Sequence, residues 1–404
     1  MVPRWQRRLE RSGAALAVLL ATLAVRAPLL AQPAFSNNPE YRAIDKAVRA
    51  TCKKRIVMLG EASHSDGHSD SVKVELIERL VTQCHFSAVL FEASTYEFVP
   101  VARAHAEGRS VSADDIATAV GGLWKFDQEV RPLFGFLADH VNTGQVTVGG
   151  LDFQAGGFQQ PYSNEGMLAE LTARLGDDRR AFCRAVYAAQ VIGSDPPAGV
   201  TVQGVPVALR TCLAEIHKAF AGSEPDDTAV ELRNLDAWVA SSDRGFGSLV
   251  LARDAMMFGN AATIFETLGA KAKIVIWTHN AHAARNSTML KDYPGGADTL
   301  GSALARRYGP NLFSLGITAR GGSFRWSGSE NKTVPAAEPG MLEAFSDRTG
   351  PAATIFVDHQ SLQRLGNIPA GFIFHTNITA NWSTAYDGVL LLDAEHPPHS
   401  TRTN

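Results

Sequence analysis

The stretch Gly60-Glu61-Ala62-Ser63-His64-Ser65-Asp66-Gly67-His68 follows directly after the apolar run Ile56-Val57-Met58-Leu59. A short apolar run that ends in glycine is typical of a buried strand that meets a loop. In open α/β sheets, ligands bind outside the carboxyl ends of the strands. The carboxylate of Glu61 precedes His64 at a spacing that allows it to orient the imidazole and raise its basicity. The stretch therefore predicts a general base at the end of a strand.

A second polar cluster repeats this pattern far along the chain. The apolar run from Ile274 to Trp277 is followed by His279, Asn280 and His282. For either cluster alone, a polar loop after a strand is the ordinary alternative. Two histidine-bearing strand ends meet only if their strands belong to one sheet, and we expect them to share a pocket at its carboxyl edge.

The order of apolar runs and helical patterns predicts the fold class. Amphipathic stretches alternate with apolar runs at 56–59, 88–91, 146–149, 274–277 and from 312. This alternation predicts an α/β fold with a mostly parallel central sheet flanked by helices. Residues from about 160 to 245 are helical in pattern, and we expect a helical insertion that caps the carboxyl edge of the sheet. Residues from about 322 to 404 are expected to form a strand-rich C-terminal extension.

The chain resembles the erythromycin esterase family from about residue 55 to 320. The segments that carry the resemblance keep the family's order: Gly60 to Ser65, 88–92, Leu123-Trp124, Gln128-Glu129-Val130, Gly150-Leu151-Asp152, Arg253-Asp254-Ala255-Met256 with Asn260, Trp277 to His282, and Leu300-Gly301 through Leu315-Gly316. Two positions depart from the pattern. Ser65 stands where the family usually has glycine, and Lys73 stands where its macrolide-inactivating members have arginine. Lysine keeps the charge but loses the bidentate fork.

This resemblance implies a carboxylic ester hydrolase that acts on a small-molecule ester or lactone, with macrolide inactivation as one form of the activity. His64 would be the base that takes a proton from water, without a covalent acyl-enzyme. Glu61 or Glu92 would hold its imidazole, and His279 and His282 would stabilise the oxyanion or protonate the leaving alkoxide. The chain has no Gly-x-Ser-x-Gly elbow, the usual signal of a serine nucleophile.

Three further residues are expected to line the same pocket and to bind substrate. Lys73 lies one turn into the first predicted helix after the Gly60 stretch, Asp152 follows a predicted strand, and Arg253 lies on a helix beside Asp254. The ordinary alternatives are a solvated lysine, a turn aspartate, and an ion pair that supports the site. Asp66 or His68 is expected to cap the helix that follows, and His375 is expected to be a packing or surface residue.

Two other functions remain open from the residues alone. No cofactor is expected, but three histidines and two glutamates that converge are able to bind zinc or manganese, so a metal-dependent hydrolase is the first alternative. The second is a noncatalytic ligand-binding protein on the same fold. Measurements of metal content and ester turnover would distinguish the metal-free hydrolase, the metal-dependent hydrolase and the ligand-binding protein.

Charge and the N-terminal segment indicate the compartment. The 404-residue chain has a net charge of -3, which gives no reason to expect nucleic acid as a partner. Arg4, Arg7, Arg8 and Arg11 precede an apolar run from Gly13 to Val25. Residues 1–31 are thus expected to be a signal peptide, and an uncleaved anchor is the alternative. After processing, residues 32–404 would form one exported α/β domain, periplasmic or extracellular, with no stable membrane span.

The four cysteines are Cys52, Cys84, Cys183 and Cys212. An even number in an exported chain permits disulfides. Cys52 and Cys84 each precede a predicted strand by four residues. If those strands are parallel neighbours, both thiols lie at the amino-terminal edge of the sheet and can pair, which leaves Cys183 and Cys212 to join within the insertion. Four free buried thiols are the alternative.

Overall fold

The computed structural model describes residues 38–401 except 65, 157–159, 223–225, 243–245, 289–297, 326–329 and 347–352. The predicted signal peptide and Ser65 lie outside the described residues. Within the described residues, no helix is both long and apolar enough to cross a membrane.

The described part of the chain alternates between strands and helices. The strands are β1 Ile56–Leu59, β2 Ala88–Ser94, β3 Thr147–Asp152, β4 Ile274–Trp277, β5 Leu312–Ala319, β6 Gly322–Arg325, β7 Asn331–Val334, β8 Ile355–Asp358, β9 Asn367–Ile373, β10 Thr376–Asn381 and β11 Gly388–Leu392. The α-helices are α1 Pro39–Thr51, α2 Gly67–Cys84, α3 Val99–Ala106, α4 Ala113–Val120, α5 Arg131–Asn142, α6 Met167–Leu171, α7 Asp177–Val191, α8 Val205–Phe220, α9 Asp226–Ser242, α10 Phe246–Leu268, α11 Asn280–Ala283, α12 Leu300–Tyr308 and α13 His359–Leu365.

A seven-stranded sheet forms the centre of the described residues, in the order β3-β2-β4-β1-β5-β11-β8. Every neighbouring pair is parallel except β11 and β8, which are antiparallel. The predicted α/β class with a mostly parallel sheet is therefore confirmed. β8 and β11 lie in the region expected to be a separate extension, but they complete the central sheet.

Burial on both faces explains why the strands are nearly continuous apolar runs. Val57 and Leu59 pack into a core shared with α1, α2 and α5. Ile56 and Met58 point to the opposite face, into a core shared with α10 and α12. A parallel sheet covered by helices on both faces requires apolar residues at every strand position, and β1 is buried along its whole length.

The amino-terminal edge of the sheet carries the first disulfide. Cys52 and Cys84 are bonded, with their Cα atoms 5.1 Å apart. The expectation that β1 and β2 are neighbours is wrong, because β4 lies between them. The disulfide nevertheless forms because α1 and α2, which end near the cysteines, meet over the amino end of β4. Lys273 donates hydrogen bonds from Nζ to the carbonyl oxygens of Cys52 and Cys84 at this point.

The insertion contains helices α6 to α9 and has a core of its own. Met167, Tyr187 and Leu235 are buried in this core together with Tyr96, which lies just beyond the carboxyl end of β2. The backbone N–H groups of Tyr162 and Ser163 donate to Glu97 in the same segment. The predicted pair Cys183–Cys212 is also formed and links α7 to α8. The helices thus pack on the chain that leaves the carboxyl edge of the sheet, as predicted.

Candidate active site

The loop that follows β1, here called the β1 loop (residues 60–64 and 66), lies against the start of α11. A Cβ atom on Gly60 would lie 2.1 Å from Oδ1 of Asn280, so only glycine fits there. The Asn280 amide donates to the carbonyl oxygens of Ile317 and Phe372, at 2.8 and 2.9 Å. The backbone N–H of Asn280 donates to the carbonyl oxygen of Glu61 at 2.8 Å, so the two histidine-bearing strand ends lie together.

A residue from the far end of the chain caps helix α2. Glu395 accepts hydrogen bonds from the backbone N–H of His68 at 2.6 Å and from Ser69 Oγ at 2.7 Å. Asp66 occupies the N-cap position, but its side chain does not cap the helix. It accepts from the N–H of Ser63 and contacts Nε2 of His375 at 3.0 Å. The prediction that Asp66 or His68 caps α2 is therefore wrong, because Glu395 supplies the acceptor.

His64 lies at the centre of the cluster and retains access to solvent. Its Nδ1 lies 2.7 Å from Oε1 of Glu61, and its Nε2 lies 3.6 Å from Oε1 of Glu92. The imidazole packs between the rings of Trp124 and His279, with both ring centroids 5.3 Å away. The side chain of His64 is 18% exposed, whereas Glu61 is fully buried. The carboxylate thus orients an imidazole that a water molecule can reach.

Lys73 holds the second oxygen of Glu61. Its Nζ donates to Oε2 of Glu61 and lies 4.0 Å from the centroid of the Trp277 ring. Burial lowers the pKa of Lys73, while the charges of Glu61 and Asp70 act in the opposite direction. The lysine is completely buried. It therefore contacts Glu61 from inside the protein rather than from the solvent-exposed surface.

Both carboxylate oxygens of Glu92, near the end of β2, contact donor groups. Its Oε1 lies 2.7 Å from Nη2 of Arg253 and 3.2 Å from Nε2 of His282. Its Oε2 accepts from Oγ1 of Thr278 at 2.7 Å and from the backbone N–H of His279 at 2.8 Å. Burial raises the pKa of Glu92, but the charges of His282, Arg253 and His64 outweigh it and hold that pKa well below its usual range.

Helix α10 supplies two charged residues that hold His282 from opposite sides. Asp254 lies 2.8 Å from Nδ1 of His282, and Nη1 of Arg253 lies 3.3 Å from its Nε2. Arg253 also donates from Nε to Asp152 at 2.8 Å. Arg253 is part-exposed, whereas Asp152 is buried behind it. Arg253 contacts Glu92 and Asp152, and Asp254 contacts His282, so both residues take part in charged contacts around the site, as in the ordinary alternative of a supporting ion pair.

Both ring nitrogens of His279 are used within the protein. Nδ1 accepts from the N–H of Ala281 at 3.1 Å, so Nε2 carries the proton and donates to the carbonyl oxygen of Ala62 at 2.7 Å. Burial and the charge of His64 hold the pKa of His279 well below its usual value. The ring is a neutral link between α11 and the β1 loop, and the expected contact with an oxyanion has no nitrogen left to make it.

The cluster also contains residues that sequence reasoning did not assign to the site. Thr278 donates to Glu92, and its position between Trp277 and His279 was the available signal. Asp70 lies one turn before Lys73 on α2 and is fully buried. Neither of its carboxylate oxygens has a hydrogen-bond partner among the described residues. Burial raises the pKa of Asp70 well above its usual value, and the charge of Glu61 adds to the effect.

Two groups of side chains in the described residues are arranged so that they could bind a metal ion. They are Glu129 with His396 and His399, and Glu40 with His68 and Asp393. Both groups lie outside the cluster around His64. Within that cluster, the guanidinium of Arg253 contacts both Glu92 and His282 and places a positive charge beside them.

Solved structures with the same fold cover almost the whole chain. A Bacillus cereus protein has a TM-score of 0.65 at 17% identity and covers 90% of this chain and 95% of that chain. A succinoglycan biosynthesis protein has a TM-score of 0.65 at 16% identity, with 88% and 91% covered. The erythromycin esterase mutant EreC, in its open conformation, has a TM-score of 0.60 at 15% identity, with 89% and 95% covered. At these identities the likeness shows the fold alone.

Sequence comparison identifies the family. The protein of Bacillus subtilis (strain 168) called "Putative hydrolase YbfO" is 22% identical over 356 residues, which are 80% of this chain and 77% of that protein. The sequence model of the family described as "Erythromycin esterase" matches residues 81–394. Because this match spans well over half of the chain, the chain belongs to the erythromycin esterase family of hydrolases.

Proposed function

We propose that this protein is a carboxylic ester hydrolase in which His64 activates a water molecule that attacks an ester or lactone carbonyl. One observation carries the proposal: Nδ1 of His64 lies 2.7 Å from a buried Glu61 carboxylate, while the imidazole keeps solvent access. Because Nδ1–H donates to the carboxylate, Nε2 keeps its lone pair for a water proton.

The proposed reaction has two proton transfers through His64. Water gives a proton to Nε2 as its oxygen attacks the carbonyl carbon, and the π electrons of the carbonyl move to its oxygen. The tetrahedral intermediate then re-forms the C=O bond and expels the alkoxide, which takes the proton back from Nε2. The products are a carboxylic acid and an alcohol, with no covalent acyl-enzyme. Glu61 stabilises the imidazolium between the two steps.

Arg253 is the group that we assign to the developing negative charge. A preorganised donor that is aimed at an oxyanion is worth several kcal/mol of transition-state stabilisation. Arg253 is charged and part-exposed, and Glu92 and Asp152 fix its guanidinium. His282 contacts Asp254 through Nδ1 and Glu92 through Nε2, so we assign it the role of a positioning residue. His279 acts as a positioning residue, because it holds the carbonyl of Ala62 next to the β1 loop.

The proposed reaction uses no metal ion. Arg253 supplies positive charge beside Glu92 and His282, and the nitrogens of His279 are engaged with the backbone. A metal-dependent reaction at this cluster would require these groups to rearrange. Chelation separates the two mechanisms.

We propose a small-molecule ester or lactone as the substrate of an exported enzyme. The fold shared with an erythromycin esterase makes a macrolide lactone one candidate, but a fold does not fix a substrate. Lys73 replaces the arginine of macrolide-inactivating members, and its burial behind Glu61 means that the change acts on the base rather than on the substrate. Export rests on the predicted signal peptide at residues 1–31.

The test is a hydrolysis panel on the mature protein. The panel contains p-nitrophenyl esters, simple five- and six-membered lactones, and erythromycin, each with and without EDTA. Turnover of at least one ester or lactone that survives EDTA supports the proposal. Loss of turnover with EDTA that zinc restores favours the metal mechanism. No turnover of any member, with binding retained, favours a ligand-binding protein.

A further inference from the structure

The tip of the β9–β10 hairpin carries backbone strain because of the residue types that form the turn. Phe374 and His375 connect the two strands, and both have positive φ, at 50° and 53°. A two-residue hairpin turn with positive φ at both positions is built most easily from Asn-Gly. For bulky residues this conformation is rare and costs free energy, and such outliers are concentrated at functional sites.

Two contacts attach this tip to the β1 loop on either side of His64. The N–H of Phe374 donates to the carbonyl oxygen of Ala62 at 2.8 Å, the same oxygen that accepts from His279. His375 contacts both carboxylate oxygens of Asp66 at 3.0 Å. The first contact uses only the backbone of residue 374, so its aromatic side chain is not needed to make it.

The phenyl ring of Phe374 lies at the mouth of the site. Its centroid is 4.8 Å from that of His279, and the His279 ring in turn packs against His64. Phe374 nevertheless remains 38% exposed. Phe374 is thus a large apolar side chain that is exposed, has positive φ and is separated by the His279 ring from the His64 imidazole, so it offers an apolar group a surface near the site.

We propose that Phe374 is a specificity-determining residue that binds the apolar part of the substrate, an aliphatic chain or hydrocarbon ring adjacent to the scissile ester. This inference rests on the proposed function. An apolar substituent that is placed on the exposed face of the phenyl ring leaves water, which favours binding roughly in proportion to the area covered. Selectivity for longer apolar groups follows.

The experiment compares p-nitrophenyl octanoate with p-nitrophenyl acetate, and octyl acetate with ethyl acetate. The first pair varies the acyl side of the ester and the second varies the alcohol side. In Phe374→Ala, the ratio of kcat/KM for the long substrate to that for the short one should fall about 10-fold on one of the two sides. The fall should come mainly from KM. Phe374→Leu should fall between Phe374→Ala and wild type.

Two further variants separate substrate binding from a structural role. Phe374→Asn suits the positive φ, so it should keep or raise the thermal midpoint while it lowers the selectivity ratio. Ile192→Ala removes an exposed apolar side chain at the end of α7 and should leave the ratio unchanged. An equal loss on long and short substrates in Phe374→Ala and Phe374→Asn would overturn the inference, because the ring would then act only on His279.

Binding of octanamide and acetamide, which resist hydrolysis, gives a readout that does not need turnover. Calorimetry should show octanamide bound at least 10-fold more weakly by Phe374→Ala than by wild type. If wild type hydrolyses no ester, the proposed function fails. If the Phe374→Ala change leaves octanamide binding intact, this inference fails whatever the turnover.

Discussion

The amino and carboxyl ends of strands β1, β2 and β4 differ in the polar groups that surround them. At the amino ends, the Cys52–Cys84 disulfide bridges across β4 and Lys273 donates to the carbonyl oxygens of both cysteines. At the carboxyl ends, Glu61 and Glu92 are buried among charged and imidazole side chains.

This difference separates stability from chemistry within one sheet. The amino end satisfies its polar groups with a covalent bond and backbone carbonyls, which stabilises the fold without exposing reactive groups. The carboxyl end buries charges whose mutual attraction has to offset the loss of hydration, and it retains a carboxylate, Asp70, without a hydrogen-bond partner among the described residues. Substitutions at the amino end should change stability alone, and those at the carboxyl end should change turnover.

Among the variants that should change both stability and turnover, Glu92→Gln has the largest expected effect. In the wild type, donors contact both carboxylate oxygens of Glu92, whereas glutamine has only one acceptor oxygen. Its NH₂ group would face the donors of Arg253 or Thr278. We expect the free energy of unfolding to fall by about 3 to 5 kcal/mol and kcat to fall about 100-fold. Urea unfolding and ester turnover measure the two effects.

A matched control removes a carboxylate charge from the surface of the same helix that carries Arg253. Glu266 pairs with Arg307 at 2.8 Å, and both side chains are exposed. Glu266→Gln should change the free energy of unfolding by less than about 0.5 kcal/mol and leave kcat unchanged. A Glu92→Gln protein that matches this control would show that the Glu92 network is not required.

Removal of the Cys52–Cys84 bond, as Cys52→Ser with Cys84→Ser, should affect stability but not chemistry. The bond closes a loop with a sequence separation of 32. The chain-entropy estimate for such a loop is about 3 to 4 kcal/mol of lost stability. At a temperature below both thermal midpoints, kcat should stay within about twofold of wild type. A large loss of kcat in the folded variant would break the separation between the two ends.

The smallest expected effect is a gain in stability in Asp70→Asn. Burial raises the pKa of Asp70, so at pH values between the ordinary aspartate pKa and this raised pKa the folded protein holds a proton that the unfolded chain has released. The contribution of Asp70 to the free energy of unfolding therefore falls as the pH rises above about 4, the ordinary aspartate pKa. Asparagine does not titrate, so Asp70→Asn lacks this pH dependence.

The advantage of Asp70→Asn should be absent near pH 4 and grow to the order of 1 kcal/mol at pH 8. Urea unfolding of both proteins across this pH range measures the difference. A variant that is less stable than wild type at pH 8 would mean that an ionised Asp70 stabilises Lys73.

The fold class followed from the sequence because buried strands and helices have distinct periods. The run 56–59 and its glycine marked a strand end correctly, as did the run 274–277. The order of strands was not accessible, because the apolar pattern of a strand buried on both faces does not identify its neighbour. For this reason β4 was not placed between β1 and β2, and β8 and β11 were not assigned to the central sheet.

The sequence predicted which residues form the site better than it predicted the residues that contact them. Glu61, His64 and Glu92 come together as the strand ends suggested. Contacts made over long sequence separations left no local signal. Glu395 caps α2 and Phe374 covers His279, and each depends on how the C-terminal segment folds back onto the β1 loop.

The turnover of His64→Ala tests the central claim, that His64 is the base, most directly. The side chain makes few of the packing contacts that hold the sheet, so circular dichroism and the unfolding midpoint should stay close to those of wild type. On any ester that the wild type hydrolyses, kcat should fall by about 10²- to 10⁴-fold. A folded His64→Ala protein with wild-type kcat would contradict the account.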